Sequence, residues 1–287
     1  MDQGEHSRKR RVVGRVLSEH AMRNFEPTMN IELNQFLREL LRSSSQSKDE
    51  VFLESDCPAS GGTTTGTLMT AIFFYLSRHP RVYAKLASEM RSTFSSGKDI
   101  HTGPKLTSCT YLRAVIDECL RIAPASIGTL WRQQDLTLAP GERKPFIVDG
   151  HVIPPGTMVG ISPYSLLHNP AYFPEPFEFR PERWIGDEVT ELSRRALAPF
   201  AVGDRSCAGK AVAYLETSLA VARTLWYFDF EKAPGAAGEV GGGAPGGDRL
   251  RARRDEFQLQ DVIVADHDGP NLIFKTRGSF WKEIEEV

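Results

Sequence analysis

The chain has four cysteines, Cys57, Cys109, Cys119 and Cys207, and the last stands in a frame of residues suited to chemistry. Residues 199–210 read PFAVGDRSCAGK. The order Phe200, Gly203, Arg205, Cys207, Gly209 sets small and charged residues around one thiol, just ahead of a helical run. A cysteine before a helix N-terminus gains from the helix dipole and from unpaired N–H groups. Both stabilise the thiolate, the form in which cysteine ligates a metal. Gly203 and Gly209 permit tight turns and close approach of backbone to a ligand. The competing reading is a buried, inert cysteine in a loop.

A second pair lies upstream. Glu118 and Arg121, in the run Glu118-Cys119-Leu120-Arg121, fall three apart on a helix predicted over 107–122. Alone such a pair is weak evidence, because i,i+3 Glu–Arg pairs on solvated faces contribute only tenths of a kcal/mol. Further along, FRPERW (179–184) lies in a coil of prolines and aromatics. In this order, ExxR at 118–121, PERW at 181–184 and the cysteine frame resemble the cytochrome P450 monooxygenases. The resemblance implies that Cys207 is the thiolate axial ligand of the iron of haem b. It implies that Arg205 pairs with a haem propionate and that Phe200 shields the sulfur. It also implies that Glu118 and Arg121 are buried and joined by Arg183, a charge triad that would fix the coil against the helix.

Further matches concern the propionates and the oxygen side. Arg132 in GTLWRQQ follows the ExxR helix where relatives place a propionate-binding arginine. His6 and Arg10 resemble an H-x-x-x-R pattern that meets the other propionate, and i,i+4 spacing puts both on one helical face. The competing reading of residues 6–15 is a solvated basic face or a nuclear-localisation patch. Ser60-Gly61-Gly62-Thr63-Thr64-Thr65 aligns with the family's oxygen-activating motif. Thr64 then takes the threonine that serves oxygen activation and proton delivery, while Thr63 replaces the usual acid. A Gly/Thr-rich helix start with no catalytic task is the alternative.

The elements that must position these residues are mostly helical. Helical character covers 5–42, with a break expected at Pro27. It resumes from the Gly/Thr run to Arg78, from Pro80 to Phe94, from an N-cap at Thr107 or Ser108 to about 122, and over roughly 208–227. Pro80 suits a first turn, where its missing N–H is unneeded. Residues 136–161 read as short strands and hairpins. Residues 233–247, APGAAGEVGGGAPGG, read as flexible low-complexity chain, and 255–277 as a closing hairpin turning at Asp268-Gly269. The fold class is mainly α with small irregular β-sheets. By resemblance it is a partial cytochrome P450 fold, the proximal, C-terminal half with roof helices largely missing.

With 287 residues and 40% hydrophobic content, the chain can bury a substantial core. A net charge of −2 gives no global field for nucleic acid or anionic membrane. The cysteines have no CxxC pairs, which argues against a disulfide framework or structural zinc. The most apolar run, residues 67–76, is about half the roughly 20 residues of a bilayer span. No signal peptide is visible, so a soluble, intracellular chain is expected, without the endoplasmic-reticulum anchor common in the family.

Acids, bases and Pro58 precede the Gly/Thr motif where the family has a long apolar helix. Residues 1–45 are therefore read as a remnant of an N-terminal helical region, 46–58 as a junction and 59–287 as the haem-binding region. The expected function is a haem-thiolate monooxygenase that inserts one oxygen atom of O₂ into a small organic, secondary-metabolite substrate. Its expected partner is an NADPH-dependent cytochrome P450 reductase, with basic residues such as Lys210 facing it. The alternative expectation is a truncated, catalytically inactive remnant.

Overall fold

The computed structural model describes residues 8, 10, 19–46, 51–52, 63–134, 136–137, 139–246, 251–262 and 264–285. Helix α1, Glu19–Gln46, buries Met29, Leu33, Phe36, Leu37, Leu40 and Leu41 along one stripe, the spacing of an amphipathic helix. The break expected at Pro27 does not occur, since Pro27 lies inside α1. An interior proline costs ~3 kcal/mol, but each of those buried side chains contributes about 1.5–3 kcal/mol. Packing of the stripe therefore outweighs the lost bond. The strand β1, Val51–Phe52, precedes α2, Thr63–Arg78. Helix α2 is buried on every side from Leu68 to Leu76, as befits the central helix of a bundle.

Helix α3, Pro80–Thr93, begins at the expected proline. The short α4, Pro104–Thr107, occupies the place foreseen for a cap, so α5, Thr110–Ile122, starts later, with Cys109 at its N-cap and no side-chain cap of its own. Glu89 of α3 supplies the acceptors instead, taking the N–H groups of Tyr111 and Leu112 at 2.8 Å each. A carboxylate there also favours the helix dipole. No local N-cap signal was needed because the cap comes from a neighbouring helix.

The strands are short. β2 (Leu130–Gln133) pairs antiparallel with β5 (Met158–Ile161), and β3 (Phe146–Val148) with β4 (His151–Ile153). Asp149 and Gly150 turn the second pair with φ of 48° and 76°, the left-handed conformation that a two-residue hairpin requires. After α6 (Pro163–Leu167) and α7 (Glu191–Ala196) comes α8, Lys210–Tyr227. Its Arg223 ties the bundle together by donating to the carbonyl of Ile100 and to Asn30 of α1. Strand β6 (Phe228–Lys232) pairs with β7 (Asn271–Thr276), which also takes β1.

The last sheet corrects the closing hairpin. Residues 255–277 do not form a hairpin turning at Asp268-Gly269: the segment folds back on itself only locally, where Gln260 and Asp266 bridge each other, and β7 pairs with β6, Phe230 opposite Phe274. The stretch before β7 is tied elsewhere, Gln258 N donating to Gly241 O and Ala265 N to Ala125 O. The glycine-rich segment is also corrected, because it is tied to distant parts of the chain. Arg78 donates to Gly238 O at 2.7 Å, and Gly243 N donates to Arg253 O at 2.9 Å. Gly238, Gly242 and Gly243 stand where backbones pack closely, whereas Gly235 and Gly246 serve left-handed turns in open space. Among the described residues no helix is long and apolar enough to cross a membrane.

A Cβ on Gly238 would stand 1.8 Å from the carbonyl oxygen of Ala233, whereas one on Gly141 would meet nothing within 4 Å. Gly238→Ala is expected to lower unfolding free energy by about 1–3 kcal/mol, and Gly141→Ala to change it by less than about 0.5 kcal/mol. Urea denaturation of both variants checks this, and equal midpoints would return the segment to the status of a loose linker.

Candidate functional site

The most densely hydrogen-bonded cluster is built on the carboxylate of Glu118, fully buried on α5. Its Oε1 accepts from Arg121 Nη2 at 2.8 Å, Arg183 Nε at 3.0 Å and the backbone N–H of Arg180 at 3.0 Å. Its Oε2 accepts from Arg121 Nε and from Trp184 Nε1, each at 2.9 Å. The remaining guanidinium donors are also used. Arg121 donates to the carbonyls of Leu167, Pro176 and Glu178, and Arg183 to those of Pro174 and Glu175. Burial works against the charge of Glu118, but the two guanidiniums more than offset it and hold its carboxyl below the usual carboxylate range. The structure thus brings Glu118, Arg121 and Arg183 together. Trp184 completes the shell and was not anticipated, although it follows Arg183 directly.

Asp117, next to Glu118, faces a different side of α5, since i,i+1 neighbours do not share a face. It accepts from Arg113 Nε at 2.9 Å and from Tyr214 Oη of α8 at 2.6 Å. The Tyr214 ring lies 5.5 Å from that of Phe200. Phe200 is therefore held to α5 through α8, and it opens the loop that ends at Cys207.

That loop is closed by two backbone bonds, Ser206 N to Gly203 O at 3.0 Å and Cys207 N to Phe200 O at 2.7 Å. Its turns need left-handed backbone at Ala201 (φ 54°) and Gly203 (φ 75°). Only the glycine adopts this freely, so Ala201 is a strained position that composition did not reveal. Cys207 is exposed and sits three residues before α8, outside any disulfide. Cys109 and Cys119 differ, because both are buried and burial pushes their thiols up. Cys57 lies outside the described residues.

The donor set fits a haem. Among the described residues, no group of three His, Cys, Asp or Glu side chains could hold a bare metal ion. A single exposed thiol could supply one ligand to a metal that brings its other ligands with it. A Cβ on Gly209 would lie 3.8 Å from the Cys207 sulfur, so the glycine leaves that flank open to a flat group.

The other candidates are spread more widely. Arg205 ends the turn Gly203–Arg205 and is exposed. Arg132 is exposed on β2 and donates to the carbonyl of Trp131. Arg10 donates to the carbonyl and hydroxyl of Ser206, at 2.7 and 2.8 Å, while His6 lies outside the described residues. Thr64 is exposed at the second position of α2, and Ser60 to Gly62 lie outside the described residues. Thr67, one turn on and buried, donates to Ala265 O at 3.2 Å, and Ala265 N donates to Ala125 O at 2.8 Å. Three distant segments thereby meet beside the start of α2. Thr67 opens the apolar run 67–76, directly after the Gly/Thr motif.

The family model of cytochrome P450 matches residues 55–239. A cytochrome P450 monooxygenase of Gibberella zeae is 38% identical over 231 residues, which are 80% of this chain and 52% of that protein. Cytochrome P450 monooxygenase AKT7 of Alternaria alternata is 39% identical over 224 residues, 75% of this chain and 42% of the relative. For cytochrome P450 monooxygenase apf8 of Gibberella fujikuroi the figures are 41% over 239 residues, 80% and 61%. The chain spans about half the length of the curated relatives it matches.

Two outcomes follow from the Glu118 shell and its surroundings. Glu118→Gln leaves two buried guanidiniums without a carboxylate and is expected to cost about 3–5 kcal/mol in urea unfolding; a loss under about 1 kcal/mol would mean that the shell contributes little. His168 packs nearby, with Nδ1–H donating to Tyr164 O at 2.9 Å and a buried, unpartnered Nε2. Burial lowers its pKa from 6.5 to about 4. The unfolded chain then binds the proton first as pH falls, so stability drops between about 6.5 and 4, by roughly 3 kcal/mol. His168→Asn, which keeps a donor near Nδ1, is expected to remove that part of the pH dependence; parallel curves for both proteins would rule His168 out as its source.

Proposed function

The chain belongs to the cytochrome P450 family, and on that premise we propose that it serves a haem-thiolate monooxygenase acting on a small organic, secondary-metabolite substrate. When bound, haem supplies activation of O₂, one atom of which enters a C–H bond or alkene while the other leaves as water, with electrons from an NADPH-dependent reductase. The observation that carries the reading is the exposed Cys207 thiol at the mouth of α8, its N–H fixed on Phe200 O.

In this reading Cys207 ligates the iron, Phe200 shields the sulfur from one side, and Gly203 and Gly209 keep the backbone close without obstruction. Arg205, Arg132, Arg10 and His6 are assigned to the propionates, with guanidinium forks suited to carboxylates. Thr64 holds and passes a proton at its hydroxyl. Thr67, by donating to Ala265 O, and Ser162, by donating to Ile127 O at 2.8 Å, hold the segments around 125–131 and 264–270 as candidate walls of a substrate site. Lys210 and Arg194 border a cavity of about 320 Å³ behind the cysteine frame, and neither is ion-paired among the described residues. They suit the acidic surface of an electron-donating partner.

The full chain should be loaded with haem, reduced and exposed to CO. A thiolate-type Soret band is expected, with Cys207→Ser losing that band and at least about tenfold in haem affinity. Failure of the unsubstituted chain to take up haem, or an unchanged band in Cys207→Ser, would contradict the reading and favour a remnant without turnover.

A further inference from the structure

The partner of Arg10 carries a consequence for the cysteine itself. Its guanidinium reaches across 196 positions of sequence to residue 206, with Nη1 donating to the Ser206 carbonyl at 2.7 Å and Nη2 to the Ser206 hydroxyl at 2.8 Å. The carbonyl of Ser206 and the N–H of Cys207 belong to one planar peptide unit. The N–H side of that unit is held by Phe200 O at 2.7 Å, and the carbonyl side by a cation. Charge-assisted bonds of this kind are about twice as strong as neutral ones. A carbonyl polarised by a cation also makes its own N–H a better donor. Both ends of the plane are therefore fixed, and with them the N–Cα bond from which the Cys207 side chain departs.

We infer that Arg10 is a positioning residue for Cys207, clamping the Ser206–Cys207 peptide so that the thiol is presented in one orientation. Two of the five guanidinium N–H groups are engaged this way, so a propionate contact by the others is compatible. Clamping of the 206–207 peptide follows from this geometry, and its effect on bound iron rests on the haem-thiolate reading.

Hydrogen–deuterium exchange on the full chain separates the two. In Arg10→Ala, peptides covering 199–209 are expected to exchange about tenfold faster, with the 110–122 helix unchanged. Arg10→Lys, which offers one donor group without the fork, should fall between. Ser206→Ala keeps the carbonyl bond and should accelerate the loop about threefold. The double variant should be no faster than Arg10→Ala, because both act through one contact. Unchanged exchange at 199–209, or acceleration spread evenly over the chain, would overturn the inference. In haem-loaded, CO-treated protein, Arg10→Ala should also show a smaller thiolate-type fraction. If no variant takes up haem, the exchange result still decides the role of Arg10 while the functional reading fails. If haem binds through thiolate and exchange does not change, the functional reading stands and the inference falls.

Discussion

The carboxylate of Glu118 is the constraint on which the rest of the site depends. It is fully buried, yet it accepts hydrogen bonds from two guanidiniums, one indole N–H and one backbone N–H. A charge in that position is tolerable only when its acceptor capacity is filled. Filling it draws the 174–184 coil onto α5, since Arg183, Trp184 and the N–H of Arg180 all belong to that coil. The coil holds several prolines and little regular backbone pairing. Its position is set by side chains, and the triad supplies the largest charge-assisted share of them.

Asp117 does the complementary work one residue earlier. Through Tyr214 it fixes the first turns of α8, and through the Phe200 ring it steadies the loop that ends at Cys207. Adjacent acids on α5 thus anchor two different structures, the coil on one side and the cysteine loop on the other. Each uses partners far away in sequence, so the thiol direction depends on tertiary packing more than on the loop alone. The left-handed Ala201 fits this picture, because a strained residue persists only where its surroundings over-determine it.

Much of this was legible beforehand, for physical reasons. Glu118 and Arg121 stand at helical spacing on a strongly amphipathic segment, and the cysteine frame marks its turns with glycines. What escaped was whatever depends on distant partners. The helix over Pro27 survives because a stripe of large side chains packs beyond it. The cap of α5 comes from Glu89 on another helix, and the mate of β7 is β6 and not the segment beside it. Glycines 238, 242 and 243 read as looseness, whereas the structure uses them where backbones nearly touch. Composition cannot separate those two uses of glycine, because both follow from the missing Cβ.

The proposed haem-thiolate function requires a sulfur at the iron of bound haem. X-ray absorption at the iron edge, on the haem-loaded full chain and on Cys207→Ser, reads that directly. One sulfur scatterer in the first shell of the unsubstituted chain, lost in the variant, is the predicted result. A first shell of nitrogen and oxygen alone, or a sulfur that persists when Cys207 is gone, would contradict it.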